Sequence, residues 1–209
     1  MHFFDSVIRT EYGLNGEIHP RAKIKKGKHI GKDGMNYIVE FEGTLADTDG
    51  CFTSVFSEAF SQFGMPFDEA RLQEYLSVPL DVLFARFYTG CTCKFRDFVT
   101  FFIGSFDRHF PGVEPVPGMA ERVNGLRREG CRVAVISGCY EMYVRSFLQN
   151  YSIGADCVIG LDRMPSGIPD ADALRLCMNE INCGPDSVCF VGRERLGSFA
   201  KEIGMKTGA

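Results

Sequence analysis

Two glutamates follow a short apolar segment near the start of the sequence. Glu40 and Glu42 occur in NYIVEFEGTLADTDG (36–50), where residues 37–39 and Phe41 predict a buried strand that ends at Gly43. Carboxylates at such a strand end can serve as a nucleophile and as a general acid or base. The pattern therefore predicts a reactive turn, with glutamate in both acidic positions.

Three further candidates follow other predicted strands or turns. Ser137 and Gly138 end the strand predicted over 132–136, and Arg193 follows the strand predicted over 187–191. In parallel sheets, ligands bind at the carboxyl ends of the strands. We therefore expect Ser137 and Arg193 to lie close to the two glutamates.

Alternating strands and helices surround these residues. After the turn-rich PGVEPVPG (111–118), helices and strands alternate to the end of the chain, which predicts an α/β protein with a parallel sheet covered by helices on both faces. Residues 52–110 are predicted to be helical and contain 13 of the 19 phenylalanines. Phe98, Phe101, Phe102 and Phe106 are too many for one helical face, so we expect some of them to be exposed or to meet a partner.

The order of these motifs resembles the haloacid dehalogenase-like (HAD) superfamily over residues 36–209. The branch that it resembles most has a helical cap and includes phosphonoacetaldehyde hydrolase and β-phosphoglucomutase. EFEGTL (40–45), which contains Thr44, is similar to the first motif DxDGT, and GIPDAD (167–172) to the third motif G(K/R)PxPD. The segments that end at Ser137-Gly138 and begin at Val191-Gly192-Arg193 are similar to the second and fourth motifs.

The resemblance implies a HAD-like Rossmannoid parallel sheet with helices on both faces and an inserted α-helical cap. It also divides the chain into a basic N-terminal arm (1–35), a core (36–51 and 111–209) and a cap (52–110).

The resemblance also implies a chemistry from which this sequence departs. In the family the first aspartate attacks phosphorus, the second is the general acid/base, a cation of the third motif holds the phosphoryl group, and acids of the fourth bind Mg²⁺. Here Glu40 and Glu42 each add a methylene, Ile168 replaces the cation, and Arg193 replaces a metal-binding acid. A misplacement near 1 Å can cost ~100-fold in rate.

These departures favour a catalytically inactive protein with no catalytic residues, no metal and no cofactor. Such a protein would be a structural or interaction subunit of a larger assembly. The alternative is an active phosphatase or phosphonatase-like hydrolase of a small phosphorylated substrate, and Mg²⁺ is expected only in that case.

Several side chains keep two interpretations. Arg193 is expected to pair with Glu40 and Glu42 and so replace the metal by a salt bridge. Ser137 either binds phosphate or caps the next helix. Lys94 is the one lysine of 52–110 and a candidate for a Schiff base, although a solvated surface lysine is commoner. Arg195 or Arg163 could supply the missing cation.

Charge separates the arm from the rest of the chain. Residues 1–32 hold seven Lys/Arg and three acids, and the remainder holds 16 basic and 24 acidic residues. The arm is either a solvated tail or a binding segment for a protein partner, RNA or a ribonucleoprotein. Its candidate partner-binding residues are Arg21, Lys23, Lys25, Lys26, Lys28 and Lys32.

Cysteine usage predicts the compartment. The nine cysteines are scattered, and Cys51, Cys131, Cys157 and Cys189 lie in or beside apolar runs, as is typical of reduced, buried thiols. We expect an intracellular, reducing compartment: the cytoplasm or an organelle matrix, with the mitochondrion included. No apolar run approaches the ~18 residues of a membrane span, so a membrane is not an expected partner.

Overall fold

A five-stranded parallel sheet forms the centre of the structure. The computed structural model describes residues 34–87, 94–164 and 166–208. The sheet has the order β5-β4-β1-β6-β7, and β2 and β3 form a separate antiparallel pair. The strands are β1 (Asn36–Glu40), β2 (Ala46–Asp47), β3 (Glu114–Pro115), β4 (Val133–Ile136), β5 (Cys157–Ile159), β6 (Val188–Val191) and β7 (Lys206–Gly208).

Helices cover both faces of this sheet, as predicted. Those of the described residues are α1 (Asp49–Gln62), α2 (Leu72–Tyr75), α3 (Leu80–Phe87), α4 (Phe95–His109), α5 (Met119–Arg128), α6 (Glu141–Asn150), α7 (Ala171–Glu180) and α8 (Glu194–Glu202). Alternate residues of β1 enter different cores: Val39 packs with Val144 of α6, and Ile38 packs with Leu174 of α7. Both faces of the strands are apolar because both are covered.

The helices α1 to α4 and their connecting segments form a cap, inserted between β2 and β3. Asp47 of β2 pairs with Glu114 of β3, and the N–H of Val116 donates to the carbonyl of Leu45 at 3.0 Å. The two chain connections of the cap therefore leave the core side by side. The predicted α/β parallel sheet with an inserted helical cap is confirmed.

Aromatic rings hold the cap together. Phe56 of α1 meets Phe102 of α4 with ring centroids 5.0 Å apart, and Tyr75 of α2 packs on Phe60 at 5.5 Å. Edge-to-face and tilted pairs of this kind add stabilisation beyond the area that they bury. Every described phenylalanine is buried or half-buried. The expectation that Phe98, Phe101, Phe102 or Phe106 would be exposed is wrong, because α4 meets α1 on one side and α3 on another.

Element boundaries differ from the prediction near the C-terminus. The apolar residues of 199–203 predict a short last helix there, but this helix begins at Glu194, directly after Val191-Gly192-Arg193. The edge strand β7, which has polar and small residues, was not expected at all. The first cap helix begins at Asp49, whereas the cap was expected to start at residue 52. The domain limits at 35, 51 and 110 stay predictions.

Several sequence predictions lie outside the described residues. The basic arm residues Arg21, Lys23, Lys25, Lys26, Lys28 and Lys32 do so. The proposed contacts of the arm with protein or RNA therefore stay predictions.

The described cysteines carry free thiols. Cys131, Cys139, Cys157 and Cys177 are buried, and Cys51, Cys183 and Cys189 are half-buried. A reducing compartment stays a prediction that this pattern fits. Within the described part of the chain, no helix is both long enough and apolar enough to cross a membrane.

Candidate active site

The three strand ends in the middle of the sheet bring the candidate residues together. β1 pairs with β4 on one side and with β6 on the other. Glu40 is the last residue of β1, Ser137 follows β4, and Arg193 follows β6 after Gly192. The predicted cluster at the carboxyl end of the sheet is thus present.

Glu42 is fixed by the turn that follows β4. Its Oε1 accepts a hydrogen bond from Ser137 Oγ at 2.5 Å and another from the Cys139 N–H at 3.2 Å. Ser137 Oγ also accepts from the Cys139 N–H at 2.9 Å. Ser137 therefore holds the general acid/base candidate in place, while Tyr140 is the residue at the N-terminus of α6. The helix-cap interpretation of Ser137 is wrong, because α6 begins four residues later.

Glu40 turns towards the fourth motif. Its Oε2 accepts the Arg193 N–H at 2.6 Å. Gly192 makes this possible, since a Cβ there would lie 2.6 Å from Glu40 Oε2 and 2.3 Å from Phe190. The longer glutamate side chain is thus accommodated by the missing side chain of its neighbour.

Burial makes Glu40 a weak acid. Desolvation raises the pKa of Glu40 to about 7, the Arg193 N–H opposes this rise, and the neighbouring charge of Glu42 adds to it. Burial penalises the charged form of a carboxyl group, and a second nearby carboxylate does the same. Glu40 therefore exchanges a proton near neutral pH, in the range that suits acid–base and nucleophilic chemistry.

The guanidinium of Arg193 reaches the cap and not the two glutamates. Arg193 Nη2 donates to Asp49 Oδ1 at 2.6 Å, and Nη1 donates to Gln73 Oε1 at 2.8 Å. On this path it passes over Gly43, where an added Cβ would lie 1.6 Å from Nη2. The expected salt bridge of Arg193 with Glu40 and Glu42 is wrong, because Asp49 at the start of α1 offers a more exposed carboxylate. Sequence reasoning missed Asp49 because it lies beyond the first motif.

Arg195 lies beside the third motif, which lacks the cation of the family. Ile168 stands where the family has Lys or Arg, and both Ile168 and Arg195 line the same cavity. Arg195 Nη1 donates to the carbonyl of Pro169 at 3.2 Å, which directs the guanidinium towards the third motif. Arg163 instead pairs with Glu180. A helix predicted from Glu194 onwards would have identified Arg195, because it places this residue in the first turn of α8.

A cavity of about 240 Å³ lies between this cluster and the cap. Its core side includes Glu40, Glu42, Gly138, Arg193 and Arg195. Its cap side is formed by residues of α1, α2, α3, α4 and the α2–α3 connection. The two glutamates and two arginines therefore face one cavity.

The candidate residues Thr44 and Lys94 do not line this cavity. Thr44 is half-buried in the turn after β1, and Lys94 is exposed at the N-terminus of α4. Lys94 is thus not in place to form a Schiff base with a substrate in the cavity. No group of three or more His, Cys, Asp or Glu side chains within 34–87, 94–164 and 166–208 is arranged to hold a metal ion.

Comparisons with known proteins establish the family. The sequence profile of the haloacid dehalogenase-like hydrolases matches residues 37–209, and the chain belongs to this family. Phosphoglycolate phosphatase 1 of Pseudomonas aeruginosa is 24% identical over 181 residues, which cover 81% of this chain and 66% of that protein. The chain thus spans slightly less than two thirds of the length of this relative.

Solved structures support the same fold. CbbY from Rhodobacter sphaeroides, solved in complex with phosphate, is similar with a TM-score of 0.68 and 20% identity over 82% of this chain and 84% of that one. A haloacid dehalogenase-like hydrolase from Streptococcus pneumoniae has a TM-score of 0.68 and 16% identity, and covers 83% and 82% of the two chains. At these identities the likeness shows the fold alone.

The expectation of a catalytically inactive interaction subunit is wrong. The chain belongs to a family of hydrolases, and its relative from Pseudomonas aeruginosa is named as a phosphatase. These findings favour the alternative, an active hydrolase. The physical error was to treat each altered motif separately, whereas Gly192 makes room for the longer Glu40 and Arg195 lies beside Ile168 in the same cavity.

Proposed function

We propose that the protein is an active hydrolase of small phosphate monoesters. The observation that carries the proposal is the convergence of Glu40, Glu42 and Arg195 on one cavity at the end of β1. A buried pair of carboxylates beside a guanidinium provides a nucleophile, an acid/base and a phosphate-binding cation. The relative named as a phosphatase supports the same chemistry.

Glu40 is the nucleophile in this proposal. Its ionised carboxylate attacks phosphorus, the P–O bond to the alcohol breaks, and an acyl phosphate forms on Glu40. The hydrogen bond from the Arg193 N–H holds Oε2 at 2.6 Å, so that the side chain stays in one orientation. A fixed orientation is needed because phosphoryl transfer depends mainly on positioning and electrostatics.

Glu42 acts as the general acid and then as the general base. It gives a proton to the departing alcohol oxygen in the first step. In the second step it takes a proton from water, whose oxygen attacks phosphorus and releases Glu40 and inorganic phosphate. Ser137 and the Cys139 N–H orient its carboxylate for both transfers.

Arg195 binds the phosphoryl oxygens. Its half-buried guanidinium lines the cavity beside Ile168, whose side chain cannot donate a hydrogen bond. Arginine matches the geometry of phosphate through two parallel N–H groups. We therefore assign to Arg195 the role that the family gives to a Lys or Arg of the third motif.

We also propose that the site works without Mg²⁺. The donor set does not fit this ion, because Arg193 replaces an acidic ligand and already brings a positive charge to the same turn. A guanidinium that lies over Gly43 and pairs with Asp49 repels a second cation in that space. The reaction proposed above includes no step that depends on the metal.

Phosphate release from a panel of monoesters tests the proposed activity. The purified full chain should release inorganic phosphate from at least one ester, and Glu40→Gln should lower kcat at least about 100-fold. Glu42→Gln should do the same. The matched control is Glu194→Gln, which changes an exposed glutamate outside the cavity and should leave kcat unchanged.

The comparison with Glu40→Gln can also contradict the proposal. Release by the wild-type chain that never exceeds release by Glu40→Gln, with both proteins folded by circular dichroism, would show that Glu40 has no catalytic role. The proposed function would then be abandoned.

A further inference from the structure

The cap side of the cavity carries no charged residue. The residues that line it from the described part of the cap include Phe52, Phe56, Tyr75, Leu76, Val78 and Phe102, with no Asp, Glu, Lys, Arg or His among them. The four charged lining residues, Glu40, Glu42, Arg193 and Arg195, all belong to the core. The cavity is therefore charged at its floor and apolar at its roof.

The three polar side chains on the cap side each make a hydrogen bond within the protein. Gln73 Oε1 accepts from Arg193 at 2.8 Å, and Ser77 Oγ donates to the Gln73 carbonyl at 2.5 Å. The hydroxyl of Tyr75 accepts from the Asp68 N–H at 3.2 Å. A charged substrate group placed against the aromatic rings of this roof would lose water without gaining an equivalent partner, which is costly.

From this arrangement we infer that the substrates are phosphate monoesters of apolar, ring-sized alcohols. This inference rests on the proposed function and names its substrate class. The phosphate would lie at Arg195 and Glu40, and the apolar group would lie against the aromatic roof. Phosphoglycolate, the substrate in the name of the Pseudomonas aeruginosa relative, carries a carboxylate in place of an apolar group. The guanidinium of Arg193, which reaches Gln73 on the cap side, is already paired with Asp49.

The volume of the cavity fits a ligand of this size. An apolar cavity of about 150 Å³ accepts benzene. A cavity of about 240 Å³ therefore accommodates one ring and leaves space for a phosphoryl group at the floor. Burial of a ring against Phe102 and Phe56 removes apolar surface from water on both sides.

Benzyl phosphate and phosphoglycolate provide the test by turnover. Both esters have alkyl leaving groups, so that an activated aryl leaving group does not bias the comparison. The kcat/KM for benzyl phosphate should exceed that for phosphoglycolate at least about 100-fold. Turnover of both esters with equal kcat/KM would overturn the inference and leave the proposed function intact.

Binding of two non-hydrolysable analogues separates specificity from activity. By isothermal titration calorimetry, benzylphosphonate should bind the wild-type chain at least about tenfold more tightly than phosphonoacetate, which carries a carboxylate. This result without any turnover would support the cavity specificity and refute the proposed function. Equal affinities, or tighter binding of phosphonoacetate, would overturn the inference.

Two variants, each with a control, test whether the cap side of the cavity selects the apolar ligand. Phe102→Ala should weaken benzylphosphonate about tenfold, whereas Phe101→Ala, a change to the neighbouring half-buried ring outside the cavity, should not. Val78→Lys should strengthen the binding of phosphonoacetate relative to that of benzylphosphonate. Its control is Val82→Lys, a change at an exposed position. Equal effects of Phe102→Ala and Phe101→Ala would mean that the roof does not select the ligand.

Discussion

Asp49 Oδ1 and Arg193 Nη2 lie 2.6 Å apart, although 144 residues separate them in the chain. Asp49 begins the first cap helix, and Arg193 follows the core strand β6. The same arginine donates its backbone N–H to Glu40. One residue therefore connects the start of the cap with the carboxylate that we assign as nucleophile.

A double-mutant cycle should detect this connection. We expect the stability losses of Asp49→Ala and Arg193→Ala to be non-additive, with a coupling energy of up to about 1 kcal/mol, because the pair is partly exposed. Urea unfolding of the four proteins measures it. The control is the exposed pair Asp172–Arg175, for which coupling should be smaller. Additive losses at Asp49 and Arg193 would show that their contact contributes nothing to stability.

Gly43→Ala should be more destabilising than an ordinary substitution at a left-handed glycine. Gly43 has φ +63°, and a Cβ there would lie 1.6 Å from Arg193 Nη2. Backbone strain of this kind costs roughly 1–3 kcal/mol, and the crowding adds to it. Gly64→Ala is a matched control, since Gly64 has φ +66° with nothing within 4 Å. Thermal unfolding of both variants gives the difference.

The double variant Gly43→Ala/Arg193→Ala identifies the cause. Removal of the guanidinium should bring the cost of Gly43→Ala down to that of Gly64→Ala. If the cost stays the same without Arg193, crowding by the guanidinium is not its source.

The sequence alone predicted the strands β1, β4 and β6 and the place of Glu40, Glu42, Ser137 and Arg193 at their ends. Hydrophobic runs of residues such as Val133 and Ile136 define buried strands wherever they occur, so these elements are local properties. The direction of a long side chain is not local. Arg193 reaches Asp49 rather than Glu42, and Arg195 reaches the third motif, because the cap and the start of α8 lie where only the folded chain places them.

The burial of the aromatic residues also could not be predicted from the sequence. A single helix cannot bury Phe98, Phe101, Phe102 and Phe106 on one face, and that argument remains valid for α4 in isolation. In the folded cap, α1 and α3 pack against different sides of α4. A count of the faces of one helix therefore underestimates the burial of its rings when two other helices pack against it.

Magnesium should neither stabilise the protein nor be required for turnover. We expect millimolar Mg²⁺ to leave the melting temperature unchanged, because the Arg193 guanidinium lies over Gly43, in the turn that carries the two glutamates. Activity should also persist in excess chelator. Arg193→Asp restores an acid at this position and serves as the comparison, since it should create a Mg²⁺-dependent shift. A saturable shift in the wild-type chain that disappears in Glu40→Ala would contradict the prediction.

Acid should destabilise the cap through Glu58. Hydrogen bonds from Ser105, His109 and Arg108 lower the pKa of Glu58 to about 2. A carboxyl group with a depressed pKa contributes stability above its ordinary value of 4.5, and this contribution is lost as pH falls towards 2. Glu58→Gln should therefore flatten the fall in stability between these pH values, measured by urea unfolding. Glu129→Gln, an exposed change on the core, is the control and should keep the wild-type slope.

Glu40 should produce the opposite pH dependence of stability. Its folded pKa of about 7 lies above the ordinary value of 4.5, so the folded state binds the proton more tightly. The stabilisation is complete below pH 4.5 and is lost as pH rises through 7, by about 3 kcal/mol at 1.36 kcal/mol per unit. Glu40→Gln should lack this decline, and Glu194→Gln should retain it. A wild-type stability that stays constant over this range would show that Glu40 is not a buried acid.

The same proton should control the rate. Only the ionised Glu40 can attack phosphorus, so kcat/KM should rise about tenfold per pH unit in acid and level off near pH 7. Gly192→Ala provides an independent check, because a Cβ there would lie 2.6 Å from Glu40 Oε2 and displace the carboxylate from the Arg193 N–H. Loss of that hydrogen bond removes an interaction that lowers the pKa, and the acid limb should move to higher pH. If the acid limb of the kcat/KM profile stays at the same pH in Gly192→Ala, a group other than Glu40 determines its position.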